Sequence, residues 1–159
     1  MVCLGNICRS PLAHGILESK LNSDNIYVDS AGTADYHANH SPDHRFIRLA
    51  SENGIDISNQ RGRQFKVSDF DSFDHIFVMD KSNYDDVIKL ARDESDKNKV
   101  RLILDILSTN DSNIVPDPYH GHYTDFQNVY ELLDQACDTI ANELVTWVRR
   151  KKNIITKLK

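Results

Sequence analysis

The residues with the clearest chemical potential lie at the start of the chain, in the segment CLGNICRSP at residues 3–11. A loop that contains glycine and leads into a helix N-terminus can turn its backbone N–H groups around an oxyanion. Arg9 adds a planar guanidinium that suits bidentate contact with phosphate. Cys3 faces this positive potential, and we therefore expect its sulfur to be a thiolate at neutral pH. Such a thiolate could attack the phosphorus of a phosphate monoester.

The spacing of Cys3 and Arg9 is not specific by itself. A C-x5-R pattern occurs by chance, and a buried cysteine beside a helix cap would explain it equally well. The complete string, with its glycine, asparagine, serine and proline, indicates an anion-binding loop far more specifically.

A second candidate group, Asp117, lies between two prolines in the polar stretch Thr109–Tyr123. A polar loop of this length in a compact domain is more often functional than not. A carboxylic acid there could donate a proton to a leaving group. An aspartate beside proline is also a common turn residue, and the residue types alone favour that simpler interpretation.

The elements that must bring these groups together alternate between helix and strand. Short apolar runs bounded by polar residues predict buried parallel strands, and Ser10-Pro11 is typical of the first positions of a helix. The predicted strands are Ile26–Val28, His75–Met79 and Val100–Leu104, after a first strand ending at Cys3; the predicted helices begin near Ser10, Ser41, Tyr84 and Asp125, and the last ends near Arg150. This alternation indicates an α/β fold with helices on both faces of a parallel sheet. Ligands bind such sheets at the carboxyl ends of the strands, where Cys3 lies.

The composition limits the broad class of protein. The chain has 159 residues, the size of one domain, and a net charge of −5, which argues against nucleic acid as a partner. No apolar run is long enough to span a membrane and no secretory signal precedes Cys3, so we expect a cytoplasmic protein that does not bind membranes. Residues 149–159 form a basic C-terminal tail of a single domain, residues 1–159, and a monomer is the simplest expectation.

The motifs resemble those of the low-molecular-weight protein tyrosine phosphatases. The family's signature CLGNICRSP is unbroken at residues 3–11, and the resemblance covers nearly the whole chain. Further matching segments are Asp29–Thr33, Ser41–Asp43, Arg63–Phe65, Phe73-Asp74, Met79–Asn83 and Asp117–Tyr119. The resemblance implies a four-stranded parallel sheet flanked by helices on both faces, with a phosphate loop after the first strand. It also implies a single phosphatase domain that hydrolyses phosphotyrosine and small aryl phosphates.

The same resemblance implies a role for each site residue. Cys3 would be the nucleophile, Arg9 would bind the phosphoryl oxygens, and Asp117 would be the general acid and base. Ser10 would hydrogen-bond the Cys3 sulfur, and Asn6 would hold the loop by bonding to Ser30. The other expected substrate-binding residues are Leu4, Gly5, Ile7 and Cys8 of the loop, with Tyr36 and Tyr119 as walls for the substrate ring. Arg9 and the backbone amides of the loop supply the positive charge, so we expect no metal and no other cofactor.

The cysteines and histidines support no other site. In the family, the residue equivalent to Cys8 can form a reversible disulfide with the nucleophile, which implies redox regulation. Cys137 is predicted to be a small core residue on the last helix. His40 and His44 are spaced four residues apart on a predicted helix, but no third metal ligand accompanies them.

Three features depart from the family pattern. Only two residues precede Cys3, so the first strand is either short or truncated relative to the native protein. His120 stands where a second tyrosine often follows Tyr119. Gln60 stands where many members have a histidine that supports the phosphate loop, and we expect it to tune that loop modestly.

Rival functions remain open. A protein-arginine phosphatase would share this fold, but such proteins usually carry threonine where this chain has Ile7. An arsenate reductase would need two further relay cysteines that the corresponding region lacks. A non-catalytic phosphotyrosine-binding module should have lost Cys3 or Asp117, and both are present.

Overall fold

The computed structural model describes residues 1–21, 26–107 and 112–157, with side chains described as far as Val148. In chain order, the elements are β1 Val2–Cys3, α1 Arg9–Lys20, β2 Ala31–Gly32, α2 His44–Glu52, α3 Asp69–Ser72, β3 Ile76–Val78, α4 Lys81–Ile88, α5 Glu94–Lys97, β4 Val100–Leu102, a 3-10 helix Ile103–Leu107, and α6 Tyr123–Lys157.

The four strands form one parallel sheet in the order β2-β1-β3-β4. The predicted fold class is therefore confirmed. β1 occupies a central position although it is only two residues long. Because all strands run the same way, their carboxyl ends meet at one edge, and the chain leaves β1 at Cys3 on that edge.

Alternating strand residues supply two separate cores. Cys3 and Phe77 point into the core that α1, α2 and α6 cover, whereas Val2 and Val78 point into the core that α3 and α4 cover. The sheet is thus covered on both faces, as the alternation of elements predicts. Cys137 on α6 is fully buried in the first core, also as predicted.

Some predicted boundaries are wrong. Residues 26–28 form no strand; the pairing segment is Ala31–Gly32, three residues later. Val28 is nonetheless buried in the core. Its apolar character therefore reflects side-chain packing rather than strand pairing.

The start of α1 also differs from the prediction. Cys8 is the N-cap, and Ser10 lies inside the first turn. The Ser10 hydroxyl does not cap the helix because it is engaged with Cys3 and Asn6. At the other end of the chain, α6 begins at Tyr123 and its backbone stays helical to Lys157, into the predicted basic tail.

The remaining differences are small. β4 ends at Leu102, and the chain then tightens into the 3-10 helix. α2 ends at Asn53-Gly54, where Asn53 is the C-cap and Gly54 has a φ of 76°. His40 lies before α2, so the prediction that His40 and His44 share a helix is wrong. Residues 109–111 of the predicted polar stretch lie outside the described residues.

Candidate active site

The pocket at the carboxyl edge of the sheet is built around the phosphate loop (residues 3–10) and the acid loop (residues 116–121). It has a volume of about 400 Å³. Its lining residues are Cys3, Leu4, Gly5, Ile7, Cys8, Arg9, Tyr36, His37, Asp117, Tyr119 and His120. The structure therefore brings together the loop cysteine, the arginine and the distant aspartate that the sequence singled out.

The Cys3 sulfur lies between two polar partners. The backbone N–H of Asn6 donates to Sγ at 3.3 Å, and the Ser10 hydroxyl lies 3.0 Å from it. The Ser10 hydroxyl oxygen accepts from the Asn6 side chain at 2.9 Å, which leaves its own proton for the sulfur or for the Ala31 carbonyl at 3.4 Å. These contacts stabilise negative charge on the sulfur.

Helix α1 adds to the positive potential around the sulfur. Its N-cap, Cys8, makes no side-chain cap hydrogen bond. The first N–H groups of an α-helix have no acceptor within the helix, and the positive end of the helix dipole lies at that terminus. The sequence of the loop thus places an uncapped helix N-terminus beside Cys3.

Asn6 fixes the unusual shape of the loop. Its φ of 54° lies in the left-handed region, which asparagine tolerates better than most residues. Its side chain donates to Ser30 at 2.9 Å and accepts from the backbone N–H of Arg63 at 2.9 Å. The predicted bond between Asn6 and Ser30 is therefore confirmed.

Gly32 allows β2 to approach the same loop. A Cβ atom at this position would lie 2.7 Å from the Leu4 carbonyl oxygen and 3.1 Å from the Asn6 nitrogen. The first distance is too short for any side chain, and the second is tight. Glycine is therefore needed at position 32 if the loop is to keep its shape.

Arg9 is buried and held by three acceptors. Nη1 donates to Asp80 at 2.7 Å and to the Val115 carbonyl at 3.0 Å, while Nη2 donates to Asp117 at 3.1 Å. Its Nε is buried and has no hydrogen-bond partner among the described residues. Buried donors are nearly always paired, so this N–H is available to an anion in the pocket.

Asp80 is a site residue that sequence reasoning did not identify. It follows β3 directly, at the carboxyl edge of the sheet, and its other oxygen caps α4 by accepting from the Asn83 N–H at 2.8 Å. An acid directly after a buried strand was the available signal. Asp80 orients the guanidinium of Arg9 toward the pocket.

Asp117 lies across the opening from Cys3. One carboxylate oxygen accepts from Arg9, and the other accepts from the backbone N–H of Tyr119 at 3.1 Å. The side chain is 47% exposed, so it can exchange protons with solvent. Tyr36 and Tyr119 are also exposed at the pocket mouth, as expected of walls for a substrate ring.

The remaining predicted groups are placed as follows. Cys8 lines the pocket, and burial together with the nearby Cys3 sulfur raises the pKa of its thiol. Burial also raises the pKa of Cys137 to about 12, and its sulfur contacts the Ala13 carbonyl in the core, remote from the pocket lining. Gln60 lies near Gly15 of α1, and its buried Oε1 has no partner among the described residues. The expected modest tuning of the phosphate loop by Gln60 stays a prediction.

Two histidines, His37 and His120, line the pocket but were not predicted as site residues. His37 is close to Gly5, where a Cβ atom would lie 3.0 Å from the imidazole Cδ2.

Across residues 1–21, 26–107 and 112–157, no group of three or more potential ligand side chains is arranged to hold a metal. The same residues include no helix that is both long enough and apolar enough to cross a bilayer.

Comparison with known proteins agrees with this geometry. The profile of the low molecular weight phosphotyrosine protein phosphatase family matches residues 1–152. The chain belongs to this family.

Proteins of this family resemble the chain over most of its length. The low molecular weight phosphotyrosine protein phosphatase of Saccharomyces cerevisiae is 40% identical over 134 residues, which are 79% of this chain and 81% of that protein. A protein tyrosine phosphatase from Entamoeba histolytica, crystallised with Hepes in the active site, superimposes with a TM-score of 0.83 at 33% identity and covers 91% of this chain and 94% of its own. A Drosophila arginine phosphatase superimposes with a TM-score of 0.82 at 30% identity, covering 90% and 94%.

Proposed function

We propose that this phosphatase hydrolyses phosphotyrosine in proteins and peptides, and small aryl phosphates, through a cysteinyl-phosphate intermediate. The observation that carries the proposal is the shared pocket of three groups: a sulfur in contact with a backbone N–H and a hydroxyl, a buried guanidinium whose Nε has no partner among the described residues, and a carboxyl group that touches that guanidinium. Each group has a separate part in phosphoryl transfer.

In the first step, the Cys3 thiolate attacks phosphorus. The S–P bond forms as the bond from phosphorus to the aryl oxygen breaks, and Asp117 gives its proton to the departing phenolate. Arg9 and the loop amides bind the equatorial oxygens, whose charge they stabilise in the transition state. General acid catalysis of this kind contributes about 10²–10⁴-fold to the rate.

In the second step, Asp117 acts as a base. It takes a proton from water as the water oxygen attacks phosphorus, the S–P bond breaks, and inorganic phosphate leaves. Ser10 stabilises the departing thiolate because its hydroxyl lies 3.0 Å from the sulfur. Asn6 and Ser30 keep the loop in the shape that both steps need.

Substrate class depends on the walls of the pocket. Tyr36 and Tyr119 offer aromatic faces for a phenyl ring, and Ile7 adds an apolar side chain; Leu4, Gly5 and Cys8 also line the pocket. This lining favours an aryl phosphate. The similarity to an arginine phosphatase makes phosphoarginine the second candidate, and it must be tested beside phosphotyrosine.

The setting of the enzyme follows from the same proposal. We expect a cytoplasmic monomer that needs no cofactor and that binds phosphate-like anions in the loop. We also expect peroxide to link Cys3 and Cys8 in a reversible disulfide, because both thiols line one pocket. A Cys8→Ser variant should then lose activity irreversibly under peroxide doses from which the wild type recovers with added thiol.

The decisive test is turnover of p-nitrophenyl phosphate by three variants. Cys3→Ser should abolish turnover, and Asp117→Ala should lower it strongly, because the second step loses its base, while competitive inhibition by inorganic phosphate is retained. Cys137→Ala, which changes a cysteine outside the pocket, should leave turnover unchanged. A matched panel of phosphotyrosine, phosphoserine and phosphoarginine peptides then assigns the substrate. Faster hydrolysis of phosphoarginine would overturn the assignment to phosphotyrosine.

A further inference from the structure

Asp43 and Arg45, at the start of α2, connect the two loops that form the pocket. The backbone N–H of Asp43 donates to the Ile7 carbonyl in the phosphate loop at 2.7 Å. Nη1 of Arg45 donates to the Tyr119 carbonyl in the acid loop at 2.9 Å. One short segment therefore contacts both sides of the opening.

The two side chains of this segment are tied firmly together. One Asp43 oxygen accepts from the backbone N–H and the Nε of Arg45, at 2.8 and 3.0 Å, and the other accepts from Nη2 at 2.8 Å. Hydrogen bonds from Arg45 hold the pKa of Asp43 below its usual range. The pairing leaves Nη1 as the part of the guanidinium that reaches the acid loop.

The guanidinium also lies close to two aromatic rings. Its central carbon lies 5.1 Å from the ring centroid of Tyr119 and 4.8 Å from that of Phe126. Phe126 is buried and contacts the Phe46 ring of α2, so one neighbour belongs to the rigid core. Tyr119 is instead an exposed residue of the acid loop. Arg45 thus links an exposed loop to the buried core.

The link from Arg45 to the chemistry runs through Asp117. The N–H of Tyr119 donates to Asp117, and the carbonyl of the same Tyr119 accepts from Arg45. Holding this residue at both of its polar atoms fixes the direction of the Asp117 carboxyl group. Without Arg45, only Arg9 and the Tyr119 amide would orient that group.

We propose that Arg45 is a positioning residue for the general acid, which it holds at the correct distance from the phosphate loop through Tyr119. The proposal rests on the function proposed above. Arg45 acts on proton transfer and not on phosphate binding, because its described contacts are to Asp43, Tyr119 and Phe126. Its removal should therefore matter most where the leaving phenol needs a proton.

The test compares Arg45→Met with Arg48→Met. Arg48 lies on the same helix but pairs with Glu52 at the surface, away from the pocket, and serves as the matched control. We would measure kcat/KM for aryl phosphates that range from acidic nitrophenol esters to tyrosine-like esters. Arg45→Met should lower the value about tenfold for tyrosine-like esters and leave it nearly unchanged for nitrophenol esters. Arg48→Met should match the wild type throughout.

Two further measurements separate positioning from a general loss of structure. In an Asp117→Asn background, adding Arg45→Met should produce no further loss, because the acid is already absent. Inhibition by inorganic phosphate should be the same in Arg45→Met and wild type. Arg45→Lys keeps the charge but not the planar fork, and should restore only part of the rate; it also provides the comparison if Arg45→Met does not fold.

Three results would overturn the proposal. The first is an equal loss of kcat/KM in Arg45→Met for all leaving groups. The second is an equally large loss of kcat/KM when Arg45→Met is added to Asp117→Asn. The third is full activity of both Arg45→Lys and Arg45→Met. Failure of the proposed function is distinguishable from these results, because the wild-type protein would then hydrolyse none of the esters. That outcome would contradict the proposed function itself, and the positioning role with it.

Discussion

The two loops that form the pocket are built in opposite ways. In the phosphate loop, Arg9 is only 4% exposed at its side chain, and Ser10 and Asn6 are buried with partners on several elements. In the acid loop, Asp117 is 47% exposed and its side chain accepts from two donors. The phosphate loop is thus part of the core, whereas the acid loop lies on its surface.

This difference matches the two tasks of a phosphatase. Phosphate is the constant part of every substrate, and a rigid cradle recognises it without rearrangement. The aryl group of the substrate must enter the pocket, accept a proton and depart as a phenol. An exposed wall leaves room for this exchange. Changes in the phosphate loop should therefore affect every substrate equally, and changes in the acid loop should depend on the leaving group.

The largest effect should come from Arg9. Arg9→Met should lower kcat/KM by about 10³-fold, because it removes the charge that stabilises the transition state. The loss should be similar for nitrophenol and tyrosine-like esters, since the guanidinium acts on the phosphoryl group that both share. Steady-state kinetics across the ester series would check this. A loss confined to poor leaving groups would contradict the division of labour between the loops.

The next effect concerns the stability of the phosphate loop. Asn6→Ala should lower the free energy of unfolding by about 2 kcal/mol, because the Arg63 N–H loses this acceptor and the buried Ser10 and Ser30 hydroxyls lose this donor. Asn39→Ala is the matched control, since Asn39 also has a positive φ, of 65°, but is exposed. Urea denaturation of both variants gives their free energies of unfolding. The difference separates the effect of the positive φ from the effect of the hydrogen bonds that the Asn6 side chain makes. Equal losses would show that the network adds nothing.

A smaller effect is expected at the wall of the acid loop. Tyr119→Leu should raise KM for aryl phosphates about fivefold, since an aromatic contact is worth about 1 kcal/mol. Inhibition by inorganic phosphate should stay the same, because phosphate has no ring to stack. Tyr36→Leu, on the other wall, is the companion variant. If both variants weakened phosphate inhibition, the tyrosines would belong to the cradle instead.

The smallest effect is a pH dependence of the Asp43–Arg45 pair. Arg45 lowers the pKa of Asp43 in the folded protein, so the pair stabilises the fold above the ordinary aspartate pKa. That stabilisation is lost as the pH falls through the lowered value. Asp43→Asn should therefore be less stable than wild type at pH 7 by about 0.5 kcal/mol, and the difference should close in acid. Thermal unfolding between neutral and acidic pH would measure it, and a gap that widened in acid would refute the pairing.

The sequence predicted most of the phosphate loop because its chemistry is local. Cys3, Asn6, Arg9 and Ser10 lie within one short segment, and their types alone restrict what the segment can do. The parallel sheet was also predictable, since strands and helices alternate along the chain.

The missed residues depend on contacts between distant parts of the chain. Asp80 and Arg45 act on groups that lie 71 and 74 residues away, and a local pattern does not show which distant residue each one contacts. The false strand at residues 26–28 has a related cause. Val28 is apolar because it packs in the core, and a side chain's burial does not reveal whether its backbone pairs.

The central claim is that phosphate passes through the sulfur of Cys3. Rapid mixing of the enzyme with an aryl phosphate, followed by quenching and peptide mass spectrometry, tests it directly. If the cysteinyl-phosphate forms, a phosphoryl group should appear on the peptide that contains Cys3, in step with a burst of phenol, and should disappear on hydrolysis. A burst with no phosphorylated Cys3, or phosphoryl transfer to another residue, would contradict it.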